Sequence, residues 1–387
     1  MYKNAATHVI VGRHEYDYNI PHREQRLANY LVHKQETEKV YWVYPDTVSK
    51  LCENVKDNGI REVKVPTQYL SFTVPEPLLD VFPFNHQVKN MICSKFGPFK
   101  STKSILWYYS PHLTSLSQIN GLWDKIIYDC SDDHTTIGWE QKEELSKTEY
   151  TRKSIGAKLK TRSENQLLER TDLNFVSSEH LHNKIGKKYS TTTYLEETGV
   201  DFDKFEKDGS SPILDKIGEP RLGFIGKLKK KVDMDLLNGV AKKNKSWNII
   251  LVGPKRNENV EYIFNNPNVY WFEPVNPEEV PLLMNSLDIG LMPYKDIKYN
   301  KSVFPLKFNE YLASGLPVVG CGLPSTRKYV QKGVYQHTNN SIRDFSKACS
   351  EVLSWEEGVK DRKEIAKHAD WNSKFDRIYH RVTGCNY

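Results

Sequence analysis

The chain contains no run of about eighteen apolar residues, the length a membrane-crossing helix needs, so nothing in it reads as a transmembrane span. Its start, Met1 to Gly12, has a short apolar patch but neither a charged segment leading into a long apolar one nor a small-residue cleavage site. The expected location is therefore the cytoplasm. Cysteine is sparse. Six residues, at 52, 93, 130, 321, 349 and 385, form no C-x-x-C and no Cys/His set at zinc spacing, which argues for free thiols and against a structural metal. The net charge of +6 over 387 residues is too small to argue for a nucleic-acid partner. No G-x-G-x-x-G follows the first strand-like segment, which counts against a dinucleotide-dependent oxidoreductase. No internal repeat of short period is present.

What is present is the composition of a folded protein with a polar surface: 38% hydrophobic, 12% aromatic and 27% charged residues. The length exceeds one ordinary core, so two domains and a cleft are expected. Thr7 to Val11, Val40 to Val43, Ser104 to Tyr109, Lys125 to Tyr128 and Leu173 to Val176 read as short strands, with a helix over Arg23 to His33 between the first two. A second series runs through Leu222 to Ile225, Trp247 to Val252, Val269 to Phe272, Ile289 to Met292 and Pro317 to Gly320, with helices over Met234 to Lys243 and Pro277 to Ser286. This alternation predicts an α/β protein of two Rossmann-like, doubly wound domains. Asp201 to Pro220, rich in Asp, Lys, Gly, Ser and Pro with little periodicity, reads as a linker. The expected division is 1–205, 206–368 and a terminal helix over 369–387. In that helix Trp371, Phe375, Ile378, Tyr379 and Val382 recur at helical spacing, and it is expected to pack back on the N-terminal domain.

The most informative stretch is Pro305 to Val319, where charged groups at helix spacing precede a buried strand. Lys307 and Glu310 share one face of a helix that starts near Pro305 and stops at Gly315. An ammonium and a helix N-terminus suit phosphate, and a carboxylate accepts hydrogen bonds from ribose hydroxyls. An isolated surface salt bridge is the competing reading of the same pair.

Other candidates lie where strands end. Gly226, Lys227 and Lys231 follow the first strand of the second series, and Gly253 with Pro254 follows the next. Both turns fit the carboxyl edge of an open α/β sheet, where backbone amides and lysines can cradle a diphosphate. The lysine run also fits a solvated face, and the Gly-Pro a plain turn. In the first half, Tyr128 to His134 sets Asp132 and Asp133 just after a strand. General-base chemistry and an Asx-rich helix cap both fit that placement, while the spacing does not match a D-x-D metal motif. His112 and His14, each just after a strand, fit a proton shuttle or a satisfied turn residue. Arg152, Lys153, Lys158, Lys160 and Arg162, with Ile155, Ala157 and Leu159 between them, fit either an anionic lipid surface or a solvated helix face.

Taken in order, these segments resemble the GT-B fold of nucleotide-sugar glycosyltransferases, in particular the bacterial family-4-like group that includes teichuronic acid enzymes of the TuaH type. The resemblance covers most of the chain. It rests on Ile20 to Leu27, Tyr128 to Asp133, Phe175 to Leu181, Glu197 to Asp201, Gly226-Lys227, Leu251 to Pro254, Ser286 to Tyr294 and Pro305 to Val319. It implies two Rossmann-like domains facing across a cleft, with acceptor binding in the first and donor binding in the second. In the donor domain it implies that Lys227 neutralises the diphosphate, Lys307 assists, Glu310 holds the ribose, Glu273 to Val275 lie near the base, and Tyr294 belongs to the donor site.

Two departures stand out. The first glutamate of the family's E-x7-E arrangement falls on Ser302, and Thr198 stands where the group has Asn. Both leave the donor sugar and the stereochemical outcome open. Family-4 membership implies retention, whereas the related xanthan glucuronosyltransferase inverts with an Asp base, a role that Asp132 or Asp133 fits. The expected function is metal-independent, cofactor-free transfer of a sugar, UDP-linked, to a cell-surface polysaccharide or lipid-linked glycan. The nucleotide sugar is substrate, no nucleic acid takes part, and an anionic membrane surface is a further expected partner on the inner face of the cell membrane. A nucleotide-sugar-binding protein with little turnover is the alternative, and a dinucleotide-dependent oxidoreductase the more distant one.

Overall fold

The computed structural model describes residues 5–17, 22–46, 51–66, 86–97, 102–136, 145–256 and 260–384. Ile20 and Pro21 of the first family-like segment lie outside these residues. The described chain falls into two compact units. One comprises residues up to 136, 145–196 and 375–384, and the other 197–374.

The first unit is built from β1 (Ala6–Val11), α1 (Arg23–Val32), β2 (Thr37–Asp46), β3 (Cys52–Val55), β4 (Arg61–Pro66), α2 (His86–Phe96), β5 (Lys103–Tyr108), β6 (Lys125–Cys130), α3 (Lys147–Leu168), β7 (Leu173–Val176), α4 (Glu179–Gly186) and β8 (Thr192–Leu195). Its sheet has the order β3-β4-β2-β1-β5-β6-β7-β8, parallel throughout except for the antiparallel β3/β4 pair. All six residues of β1 are buried, as expected of a central strand covered on both faces. Because β2 lies on one side of β1 and β5 on the other, the strand order reverses there. The loops after β1 and β5 therefore open side by side at the carboxyl edge. Ser146 starts α3 through a reciprocal capping box with Glu149.

The second unit contains α5 (Phe202–Phe205), β9 (Arg221–Ile225), α6 (Met234–Lys243), β10 (Asn248–Val252), β11 (Val269–Phe272), α7 (Val280–Asn285), β12 (Ile289–Pro293), α8 (Leu306–Ala313), β13 (Val318–Cys321), β14 (Tyr335–His337), α9 (Ile342–Leu353) and α10 (Val359–His368). Its all-parallel sheet runs β11-β10-β9-β12-β13-β14, with the reversal at β9. Asp233 caps α6 by accepting from the Leu236 amide, and Met234, Leu237, Val240 and Ala241 turn to the core. The last helix, α11 (Trp371–Thr383), belongs to the first unit from Phe375 onward. There Asp376 accepts from Lys34 Nζ at 2.6 Å and from the Tyr30 hydroxyl of α1, while Phe375, Ile378 and Val382 are buried.

Two sequence expectations are corrected. Asp201 to Pro220 is not a loose linker: Phe202, Phe205, Leu214 and Ile217 are buried in the core of the second unit, and the change of unit falls at Glu196/Glu197 rather than at 205/206. These apolar residues are separated by charged and small residues at irregular intervals, so no periodicity announces them. The helix expected over Pro277 to Ser286 is shorter, Val280–Asn285. Strands β3, β4, β8 and β14 carry too few alternating apolar residues to stand out. Among the described residues no helix is long and apolar enough to cross a membrane.

Candidate functional site

In the second unit the strand ends bring most of the expected donor-binding residues to one edge. The turns after β9 and β10 interlock: the Gly226 amide donates to Val252 O at 2.8 Å, and the Leu228 amide to Pro254 O at 3.0 Å. Gly253, with φ 134°, lies so close to Gly226 that a Cβ would stand 2.3 Å from the Gly226 carbonyl oxygen. Lys227 is exposed at this turn and makes no ion pair among the described residues. Lys231 bends over the rings of Tyr294 and Tyr299, its Nζ 5.7 and 5.2 Å from their centroids. An antiparallel bridge between Val232 and Tyr294 holds that arrangement.

Helix α8 presents its N-terminus beside this edge. Pro305 occupies the cap position with no side-chain hydrogen bond, which leaves the first-turn amides without a side-chain cap. Lys307 Nζ lies 2.5 Å from Glu310 Oε2; Glu310 is 7% exposed and Lys307 half-buried. Burial together with the Glu310 charge pushes the Tyr294 hydroxyl up to about 12, so Tyr294, Glu310, Lys307 and Lys231 form one electrostatic group. The helix is registered on the sheet by Tyr311, whose hydroxyl accepts from the Ile225 amide at 3.0 Å and donates to Gly223 O at 3.2 Å.

Three further positions complete the donor half. Ser302, at the position of the family's first glutamate, is fully buried, and its hydroxyl donates to Tyr299 O at 2.8 Å. Glu273 is exposed just past β11, and Val275 is partly buried against the core; the end of β11 is joined to the second glycine turn, where the Gly253 amide donates to Phe272 O at 3.1 Å.

In the first unit the catalytic candidates follow β1, β5 and β6. His14 is exposed, and its carbonyl is tied down by Trp42 Nε1 at 2.8 Å. His112 is half-buried in a turn closed by its own amide on Ser110 O, at 2.8 Å. The next residue, Leu113, adopts a left-handed conformation with φ 49°, rare for a branched side chain. Tyr108 holds that turn, its hydroxyl donating to Leu113 O and accepting from the Ser117 amide, both at 3.1 Å.

The two aspartates differ. Asp133 is 6% exposed and receives Lys184 Nζ at 2.8 Å, the Thr135 amide at 3.0 Å and the Thr135 hydroxyl at 2.6 Å. Burial works against its charge, but Lys184 and Thr135 outweigh it and hold the carboxyl below its usual range. That is the environment of an anion held in place by its neighbours. Asp132 is less buried and acts electrostatically on His134. His134 closes the Tyr128 to His134 segment marked in the sequence, and Arg13 precedes His14, but neither was among the candidate site residues. Arg13 Nη2 meets His134 Nδ1 at 3.2 Å, and Arg13 Nε donates to Ser110 Oγ at 3.3 Å. Position directly after a strand-terminal glycine was the available signal for Arg13; Ser110 and His134 also follow strands, but nothing local marked that they meet it.

A family model described as "Glycosyl transferases group 1" matches residues 219–354. Over 97% of both chains the sequence is 35% identical to a Bacillus subtilis (strain 168) protein named "Putative teichuronic acid biosynthesis glycosyltransferase TuaH". Among solved structures, sucrose-phosphate synthase from Thermosynechococcus elongatus superposes with a TM-score of 0.71 at 11% identity, covering 98% of this chain and 100% of that one. HepE from Anabaena in complex with UDP gives 0.65 at 12% identity over 98% and 100%. An E. coli trehalose-6-phosphate structure bound with UDP-2-fluoro glucose gives 0.66 at 12% identity over 98% and 99%.

Proposed function

We propose, from the premise that this chain belongs to the group 1 glycosyl transferases and has the GT-B fold, that it moves a sugar from a UDP-linked donor to a cell-surface polysaccharide or lipid-linked glycan. The observation that carries the donor half is the convergence of Lys231, Tyr294, Lys307 and Glu310 with the open N-terminus of α8 and the two interlocked glycine turns. Bond cleavage leaves a nucleoside diphosphate with growing negative charge. Lys227, Lys231, Lys307 and the first-turn amides of α8 supply fixed positive potential where that charge develops. Glu310, held by Lys307, accepts from ribose hydroxyls. In the first unit Asp132, less buried than Asp133, is the carboxylate suited to take a proton from an acceptor hydroxyl.

Positive charge from lysines and helix amides is a substitute for a divalent ion, which supports metal-independent transfer. Among the described residues no three His, Cys, Asp or Glu side chains are grouped to hold a metal. The names of the similar proteins favour UDP and an envelope polysaccharide.

The proposed place of work is the inner face of the cell membrane. Arg152, Lys153, Lys158, Lys160 and Arg162 all lie on α3, where Ile155 is 53% exposed, and such a helix suits anionic headgroups. Sedimentation with vesicles containing anionic lipid at low salt tests this, and failure to co-sediment removes the membrane part. For the reaction, a panel of nucleotide sugars is screened for a rise in melting temperature, followed by release of UDP. A UDP-sugar is expected to stabilise the protein and to be turned over. Stabilisation without turnover would favour a binding protein.

A further inference from the structure

Arg13 is held unlike the other anchored arginines of the first unit. Arg23, Arg61 and Arg381 each meet a carboxylate, in Asp129, Glu53 and Glu196 respectively. Arg13 is oriented instead by two neutral acceptors, Ser110 Oγ at 3.3 Å and His134 Nδ1 at 3.2 Å, and makes no ion pair among the described residues. The ring of His134 is itself fixed. Its Nε2 faces the Tyr109 carbonyl at 3.2 Å, an oxygen that only accepts, so the proton sits on Nε2 and the lone pair of Nδ1 is aimed at the guanidinium. Burial, with Arg13 and His112 nearby, lowers the imidazole to about 4, so the ring is neutral at physiological pH. The result is an exposed, preoriented guanidinium whose charge is not balanced by a salt bridge. It stands at the strand-order reversal between β1 and β5, beside the left-handed Leu113 turn.

Ordering a long side chain with neutral partners yields no ion-pair energy in the free protein; the arrangement is favourable once an anion docks on the fork. Local charge sets the type. His134 is neutral, and Asp132 acts on the same ring, so the site offers one positive charge beside one negative group and fits a monoanion better than a dianion.

We propose that Arg13 binds a monoanionic oxyanion carried by the sugar acceptor, a sugar carboxylate or a phosphodiester, with Ser110 and His134 as positioning residues. The acceptor is thus an anionic glycan. This rests on the acceptor lying in the first unit, and its test is separable from the donor reading.

Glucuronate, dimethyl phosphate and glucose are titrated into the full chain by ligand-observed NMR, with UDP as a parallel probe. Wild type is expected to bind glucuronate or dimethyl phosphate but not glucose; whichever anion binds identifies the source of the charge. Arg13→Gln is expected to weaken the anion on the order of tenfold, with Arg13→Lys recovering part, while UDP affinity and melting temperature stay at wild-type values. Binding of neither anion by wild type, undiminished binding in Arg13→Gln, or an equal loss of UDP affinity would overturn the proposal. Failure of wild type to bind UDP would instead sink the donor reading and leave the anion result to stand on its own.

Discussion

The carbonyl oxygen of Gly226 stands 2.3 Å from the point a Cβ on Gly253 would occupy, so the turns after two neighbouring strands are packed backbone against backbone. Gly253→Ala adds both that clash and a positive φ of 134° that L side chains rarely adopt. The expected cost is roughly 1–3 kcal/mol of stability, together with weaker UDP binding as the Lys227 turn shifts. Denaturant unfolding and calorimetric titration measure both; an alanine variant as stable as wild type would contradict this packing.

Lys307 and Glu310 are expected to matter for donor use more than for folding. Their contact is an i, i+3 pair with Lys307 partly exposed, of the kind that contributes about 0–1 kcal/mol. Lys307→Ala is therefore expected to lower kcat/KM for the donor on the order of 100-fold with a small change in melting temperature. Glu310→Gln should raise the donor KM. Wild-type transfer kinetics in both variants would remove the donor assignment.

Asp132 and Asp133 should separate cleanly. Asp133→Asn weakens the Lys184 ion pair and the Thr135 turn, and is expected to lower stability by about 1–3 kcal/mol. Asp132→Asn should leave melting near wild type while transfer falls on the order of 100-fold or more. The opposite pattern, with Asp133 controlling turnover and Asp132 stability, would refute the assignment.

Acid should destabilise the fold over a defined window. His8 is fully buried, accepts from Trp107 Nε1 at 3.1 Å, and is lowered by burial to about 3; His134 is lowered to about 4. Both start from an ordinary 6.5, so above that pH neither folded nor unfolded chain is protonated at these sites. As pH falls below 6.5 the unfolded chain takes up protons that the folded one refuses, and stability declines until the folded values are reached. Each group contributes up to about 1.4 kcal/mol per pH unit in that interval. Urea unfolding at stepped pH measures the slope, and His8→Gln should flatten it; a level profile from neutrality down to about pH 5 would be incompatible with these neutral imidazoles.

Much of the donor edge was legible locally. Glycines at strand ends mark where backbone must turn tightly, and Lys307 and Glu310 sit at helix spacing within one segment, so their pairing needs only the helix itself. What Ser302 does in place of the family's glutamate was not legible, because its hydroxyl turns back onto Tyr299 O within a short 3-10 turn, which residue type does not reveal. The burial of Phe202, Phe205, Leu214 and Ile217 was equally invisible, since their partners are distant strands and helices and not a periodic face of their own.

By itself the sequence determined the alternation of strands and helices, the family-like order of motifs and the chemistry available at each strand end, because these depend on backbone geometry over a few neighbours. Only the tertiary structure decided which strand ends meet. Arg13 reaches Ser110 across 97 positions and His134 across 121, and Asp133 is anchored by a lysine 51 positions away. Such pairings follow from the order of strands in a parallel sheet, where each crossover can place the next strand on either side of the last. That choice is made by the packing of the whole sheet and its helices, not by any one segment.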